Sequence, residues 1–300
     1  MTISERKKRF KEKLNYYKSL IDNFLSSLFQ DGYIPQELIS AMNYSLMAGG
    51  KRIRPILCYV WGKLLGGKES DILKFASSIE LIHTYSLIHD DLPAIDNDDF
   101  RRGKPTSHKK FGEAMAILAG DGLLTEAFYL MSSCDLPKDR LLEAIYEISK
   151  AAGPRGMVGG QVLDVLYTGK NIKDGDLLKK IHSLKTGAMI KASCLCGAIL
   201  AEADKSDLKN ASIYGEYVGL AFQVVDDILN VIGDEKKLGK PVGKDKDLGK
   251  LTYPSIFGLD QSYKYAEELV NKAIEAIDGY RGEEAEFLRD LAWYILYRTQ

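Results

Sequence analysis

Residues 75–99 read FASSIELIHTYSLIHDDLPAIDNDD, an apolar run that ends in a proline-broken cluster of five aspartates. Phe75, Ile79, Ile82, Ile88 and Leu92 recur at helical spacing, so the stretch is a helix with a buried face. Pro93 disfavours helical geometry at Leu92 and removes a backbone donor, which puts Asp90 and Asp91 at a helix C-terminus. There the macrodipole opposes an anion by roughly a few tenths of a kcal/mol, and Asp90, Asp91, Asp96, Asp98 and Asp99 repel one another. Taken alone, the cluster reads equally well as a solvated acidic turn. In a straight helix Asp90 and Asp96 would stand about 240° apart. The two can share a cation only if the segment after Pro93 bulges and folds Asp96 back, and that bulge is expected. An oxygen-rich cluster with few protein ligands suits Mg²⁺, which completes its shell with water and substrate phosphate.

A second cluster extends the same reading. Tyr214, Val218, Phe222, Val225 and Leu229 mark another buried-faced helix, and Gln223, Asp226, Asp227 and Asn230 lie on it at i, i+3, i+4 and i+7. Four polar side chains on one stripe of an apolar helix must face water or a polar cavity. His182, Lys185, Thr186 and Met189 repeat the spacing. Two such stripes and the first cluster favour a cavity shared between helices over surface decoration.

The rest of the chain is consistent with a helix bundle. Its 300 residues are 45% hydrophobic, enough for a large core in one domain or two. Prolines at 35, 55, 93, 105, 137, 154, 241 and 254 punctuate long periodic segments, and no segment alternates with period two, so strands are not expected. The fold class expected is all-α. Phe111–Met131, apolar nearly all round and rich in small residues, is placed at the centre of the bundle. Lys plus Arg (41) balances Asp plus Glu (42), which argues against a nucleic-acid binder. The basic run Arg6 to Lys13 is followed by no apolar stretch of the secretory kind. No run is read as reaching the roughly 18 apolar residues of a membrane span, so no stable membrane insertion is expected. Cys58, Cys134, Cys194 and Cys196 lack zinc-ribbon spacing and are read as buried free thiols in a reducing cytoplasm.

Basic residues supply the opposite charge. Gly49-Gly50-Lys51-Arg52-Ile53-Arg54-Pro55 sets three cations in a glycine-introduced segment that could hold an anion, arginine in a fork and lysine as a point charge. Arg101-Arg102-Gly103 adds two more. Gly153 to Gln161 is no nucleotide loop, because no strand precedes it. It reads instead as a helix break where backbones pass closely, with Gln161 and Asp164 turned towards the cavity.

Five motifs in this order carry a resemblance that covers nearly the whole chain. They are Gly-Gly-Lys-Arg-Ile-Arg-Pro from 49, Asp-Asp-Leu-Pro-Ala-Ile-Asp-Asn-Asp-Asp-Phe-Arg-Arg-Gly-Lys-Pro-Thr from 90, Gly-Gly-Gln-Val-Leu-Asp from 159, Lys185-Thr186-Gly187, and Phe222-Gln223-Val224-Val225-Asp226-Asp227. The set resembles the trans-isoprenyl diphosphate synthases, within them the short-chain bacterial farnesyl diphosphate synthases. The resemblance implies one polyprenyl synthase domain over residues 1–300, with about ten core helices around a deep central cavity, usually as a homodimer. It implies that three Mg²⁺ ions bind an allylic diphosphate, held by Asp90, Asp96 and Asp226, with Asp91 and Asp227 either ligands or one contact removed. Arg101, Lys185 and Lys240 would hold the same diphosphate. Lys51, Arg54, His83 and Arg102 would bind isopentenyl diphosphate.

The implied chemistry suits the residues. Breaking an allylic carbon–oxygen bond leaves a carbocation and a pyrophosphate whose charge grows in the transition state, so fixed positive charge stabilises what is forming. Thr186, Gln223 and the Lys185 carbonyl offer the cation dipoles without nucleophilic strength. Relatives usually carry a third aspartate where this chain has Asn230, which keeps an oxygen but loses a charge. Tyr85 and Ser86 lie roughly 6 to 7.5 Å down the helix from Asp90; Ser86 shares its face, and Tyr85 is rotated away. In relatives an aromatic at the Tyr85 position resembles a floor that stops growth at fifteen carbons. The expectation is therefore condensation of isopentenyl diphosphate with dimethylallyl or geranyl diphosphate to give farnesyl diphosphate. Geranylgeranyl diphosphate is the alternative, and a terpene cyclase or a noncatalytic partner subunit is disfavoured by the second Asp-Asp pair and by the intact Asp90, Asp96 and Asp226.

Overall fold

Helical periodicity becomes helix throughout the computed structural model, which describes residues 3–30, 32–170, 172–232 and 250–297. Among these, fourteen α-helices follow one another: α1 Ile3–Ser26, α2 Gln36–Leu46, α3 Ile53–Leu64, α4 Glu69–Asp90, α5 Ser107–Phe111, α6 Glu113–Ser132 and α7 Lys138–Ala152 come first. Then come α8 Met157–Tyr167, α9 Gly175–His182, α10 Ala188–Leu200, α11 Lys205–Ile232, α12 Tyr253–Phe257, α13 Leu259–Glu275 and α14 Glu283–Tyr297. The bundle is all-α, as the periodicity requires.

The central helix is α10, not the segment chosen from composition. It packs against α3, α7 and α11, and only Ala188, Lys191 and Leu195 escape full burial. The 111–131 segment instead forms α6, which buries Ala116, Ala119, Gly120, Leu123, Ala127, Leu130 and Met131 against α4 and α2. Its other face leaves Ile117, Leu118 and Tyr129 exposed at 43%, 55% and 65%. Apolar residues all round a helix mark burial only if something covers every side. By length and composition α6 and the run Gly175–Leu200 would both suffice to cross a membrane, contrary to the reading that no run does. The second is mostly buried inside the bundle, which accounts for its hydrophobicity.

The N-terminal basic run is an ion-paired helix face. Arg6 and Arg9 both bind Asp290 of α14, each at 2.6 Å, while Phe10 stacks on Phe287 beneath them. All four cysteines are free and buried.

One strand pair was not foreseen. Phe100–Arg101 pairs antiparallel with Lys104–Pro105, joined by Arg102 and Gly103 with φ of 53° and 75°. Two residues at positive φ form the primed turn that matches strand twist. The hairpin is too short for a periodicity signal, but it aims two consecutive arginines in different directions.

Candidate active site

The break after α4 begins the site. Pro93 ends the helix, and the chain folds back so that the Asp96 amide donates to the Asp90 carbonyl at 2.9 Å, with Asn97 donating to Leu92 at 3.1 Å. This is the bulge the Asp90–Asp96 spacing demands. Burial pushes the Asp90 carboxyl up to about 6, with Lys185 opposing and Asp96 adding repulsion. Asp91 is turned elsewhere. It is buried and grips Arg101 bidentately, Nε at 2.9 Å and Nη2 at 2.7 Å, so its oxygens orient a guanidinium.

Asp90 lines a cavity of about 680 Å³ together with Asp226, Lys185, Thr186, Gln161, Tyr85, Ser86 and the apolar side chains of Ile95, Met157, Val158, Val162, Val165 and Leu166. Charged and hydrocarbon side chains thus line one cavity. A second cavity, of about 590 Å³, is lined by Lys51, Arg54, His83, Arg102, Gln223, Asn230 and others. The two share Arg54, His83, Thr186 and Asp226.

The second cavity is built to want an anion. The buried Arg54 Nε has no partner, and burial lowers the guanidinium from its ordinary range, with Arg102 adding repulsion against the pull of Glu80 and Asp226. Arg54 Nη1 donates to His83 Nε2 at 3.4 Å, which leaves the His83 proton on Nδ1. Burial, then Arg54 and Arg102, drives His83 well below its usual range, so it is neutral. Arg102 donates to the Gly49 carbonyl. Arg52 departs from the anion-holding reading: 3% exposed, it binds Asp22 at 2.8 Å, Glu80 at 2.7 Å and the Leu46 carbonyl at 2.7 Å. It is a structural tie that also forms part of the cavity wall beside Lys51 and Arg54.

Between α9 and α10 the helix widens into a π turn, Ser183–Gly187. Such single-turn bulges collect at functional sites because they re-aim side chains. Here the turn breaks the expected stripe. His182 faces a polar pocket with Asp164, Asp227 and Lys250, Lys185 reaches both that pocket and the large cavity, and Thr186 faces both cavities. Met189 is fully buried in the core. Thr186 Oγ1 donates to Gln223 Oε1 at 2.8 Å. Lys185 Nζ meets Asp164 at 2.6 Å; despite desolvation, Asp164 and Asp90 hold the lysine above its ordinary range. Asp164, which the sequence turns towards the cavity, stands 3.9 Å from Lys250, a residue that no motif singled out.

The second stripe also divides. Asp226 and Asn230 face the cationic cavity, and Gln223 borders both it and the polar pocket. Asp227, 4% exposed, accepts the Tyr253 amide at 2.9 Å. The Thr252 and Ser255 capping box presents that amide at the start of α12. Burial pushes His182 down to about 3, so its 3.7 Å approach to Asp227 is no ion pair. Lys240, expected on the allylic diphosphate, lies outside the described residues.

Magnesium fits the donors at hand. Asp90 and Asp226 turn carboxylates into one cavity, and burial holds the Asp90 carboxyl high even with Lys185 and Arg101 nearby. Among the described residues no three acidic, His or Cys side chains converge closely enough to hold an ion unaided. A metal here needs water or substrate oxygens, which is how Mg²⁺ is usually bound beside phosphates.

Residues 35–289 match the family model for polyprenyl synthetase. A heterodimeric geranylgeranyl pyrophosphate synthase large subunit from Arabidopsis thaliana is 46% identical over 270 residues, covering 88% of this chain and 73% of that one. A geranylgeranyl diphosphate synthase from Cyanophora paradoxa is 45% identical, covering 87% of each. The crystal structure of an FPP/GFPP synthase from Zymomonas mobilis superposes with a TM-score of 0.84 at 35% identity, over 96% of this chain and 98% of that one.

Proposed function

The chain belongs to the polyprenyl synthetase family, and on that premise we propose that it joins isopentenyl diphosphate head-to-tail to allylic diphosphates. One observation carries this reading: a cationic cavity and a hydrocarbon-lined one that also carries Asp90 and Asp226 share the wall residues Arg54, His83, Thr186 and Asp226. Such a pair of cavities suits two diphosphates of different need. A terpene cyclase, with one substrate, has no use for the second.

Each group then has a task. Lys51, Arg54, His83 and Arg102 grip isopentenyl diphosphate. Asp90, Asp96 and Asp226 would hold magnesium, whose charge would offset that of the leaving pyrophosphate. Arg101, oriented by Asp91, and Lys185, oriented by Asp164, take the same pyrophosphate, and Lys240 is assigned there from the motif alone. Thr186 fixes the Gln223 amide, so that its dipole meets the allylic cation while offering no nucleophile. The alkene attacks C1 of the cation, and the proton lost passes to the departed pyrophosphate.

For the product we favour twenty carbons, geranylgeranyl diphosphate, because the relatives named above at 45–46% identity carry that name. This displaces the farnesyl expectation. Tyr85 supports fifteen as the second reading: it is 7% exposed and lines the hydrocarbon cavity. Incubation with isopentenyl and dimethylallyl or geranyl diphosphate and Mg²⁺, read by mass spectrometry, tests both. A hydrocarbon product would mean a cyclase, and no turnover a partner subunit.

We further assign the whole chain, 1–300, to one domain acting as a homodimer in the cytoplasm. The uncovered apolar side chains of α6 and α7, Ile117, Leu118, Tyr129, Leu142 and Tyr146, support the homodimer, and the free buried thiols suit a reducing compartment.

A further inference from the structure

His89 precedes Asp90 directly, yet its ring points away from the diphosphate end. Its Nε2 lies 3.1 Å from the Ile117 carbonyl on α6; a carbonyl only accepts, so Nε2 carries the proton. The ring occupies a seat that α6 leaves empty. A Cβ added to Gly120 would stand 2.1 Å from His89 Nε2 and 2.5 Å from Cδ2, so no other residue type fits there while the imidazole stays. Asp121 approaches the same nitrogen at 3.9 Å.

Four residues back, one helical turn, is Tyr85. The two rings meet edge to face, centroids 5.7 Å apart at 83°, and both line the hydrocarbon cavity. Edge-to-face contact is a favoured aromatic geometry and fixes the orientation of a ring that would otherwise choose among rotamers.

We propose that His89, seated on Gly120 and tied to the Ile117 carbonyl, is a positioning residue for product length, holding the Tyr85 ring where it limits the growing chain. The inference rests on reading Tyr85 as part of that limit, whichever length results. A histidine serving only helix packing would affect stability and leave the product pattern alone.

Four variants, Tyr85→Ala, His89→Ala, His89→Gln and Gly120→Ala, are incubated with geranyl and isopentenyl diphosphate at saturating Mg²⁺, and product lengths are quantified by mass spectrometry. Tyr85→Ala should lengthen the products. His89→Ala frees the ring to swing aside and should raise the share of the next longer product by about tenfold, the scale of discrimination by one apolar pocket contact. His89→Gln keeps an N–H for the Ile117 carbonyl but loses the ring that meets Tyr85, so it should return only part of the original pattern. Gly120→Ala adds a good helix former but evicts His89, so it should alter the pattern even if His89→Ala folds poorly. Wild-type product lengths in both His89→Ala and Gly120→Ala, alongside longer products from Tyr85→Ala, would overturn the brace alone. Unaltered products from Tyr85→Ala would overturn the limit and the brace with it.

Discussion

Arg101 and Arg102 are adjacent in the chain and take different partners, because Arg101 ends a strand and Arg102 opens the turn. Arg101 is locked by Asp91, whereas Arg102 lies against Gly50, where an added Cβ would come within 2.8 Å of its guanidinium. Gly50 also has a φ of +128°. Gly50→Ala should therefore displace Arg102 and raise the KM for isopentenyl diphosphate by about tenfold with a smaller effect on kcat, the signature of lost ground-state binding; steady-state kinetics read it. Asp90 gives a pH prediction. Its carboxyl, raised to about 6 in the fold from an ordinary 3.8, keeps a proton that the unfolded chain releases. The stability this contributes is full below the unfolded value and is lost as pH rises through about 6. With Asp90 as a ligand, as proposed, magnesium would replace the proton above that pH. Thermal melts should show Mg²⁺ raising Tm more at pH 7 than at pH 5, and less at both in Asp90→Asn. Equal Mg²⁺ effects at both pH values would count against Asp90 as a ligand.

Among the elements, α4 and α11 were legible because buried apolar residues recur at 3.6-residue spacing. The π turn was not, since one extra residue in a helical turn leaves the composition unchanged. Only packing reveals it: Gly160 of α8 lies so close that an added Cβ would sit 2.2 Å from the Lys185 nitrogen. Gly160→Ala should push the turn aside, costing about 1–3 kcal/mol through overpacking and lowering kcat on the order of a hundredfold through misplaced groups. The link from α11 to α12 is similar. Asp227 looks like a metal ligand in the motif but serves as the acceptor for the Tyr253 amide. Asp227→Ala leaves that buried amide unpaired and should destabilise the fold by about 1–3 kcal/mol, whereas Asp227→Asn keeps an acceptor and most of the stability; denaturant melts distinguish them.

For the whole molecule, the uncovered face of α6 is a mismatch between composition and burial, and a second copy of the chain is our account of it. Leu118→Glu should convert the protein to monomers with its helical content intact, as light scattering and circular dichroism would report; a wild-type monomer would refute the dimer. Local sequence determined the all-α class, the two aspartate clusters, the fold-back after Pro93 and the pairing of basic motifs with acidic ones. Those features follow from periodicity, backbone restriction and charge, which act between residues near in the chain. Tertiary structure alone decided that α10 rather than α6 is central, that Asp91 and Asp227 orient neighbours, that Arg52 is buried against Glu80, and that two cavities meet at Arg54 and Asp226. Each depends on which surface lies opposite, and contacts between residues distant in the chain leave no local signature.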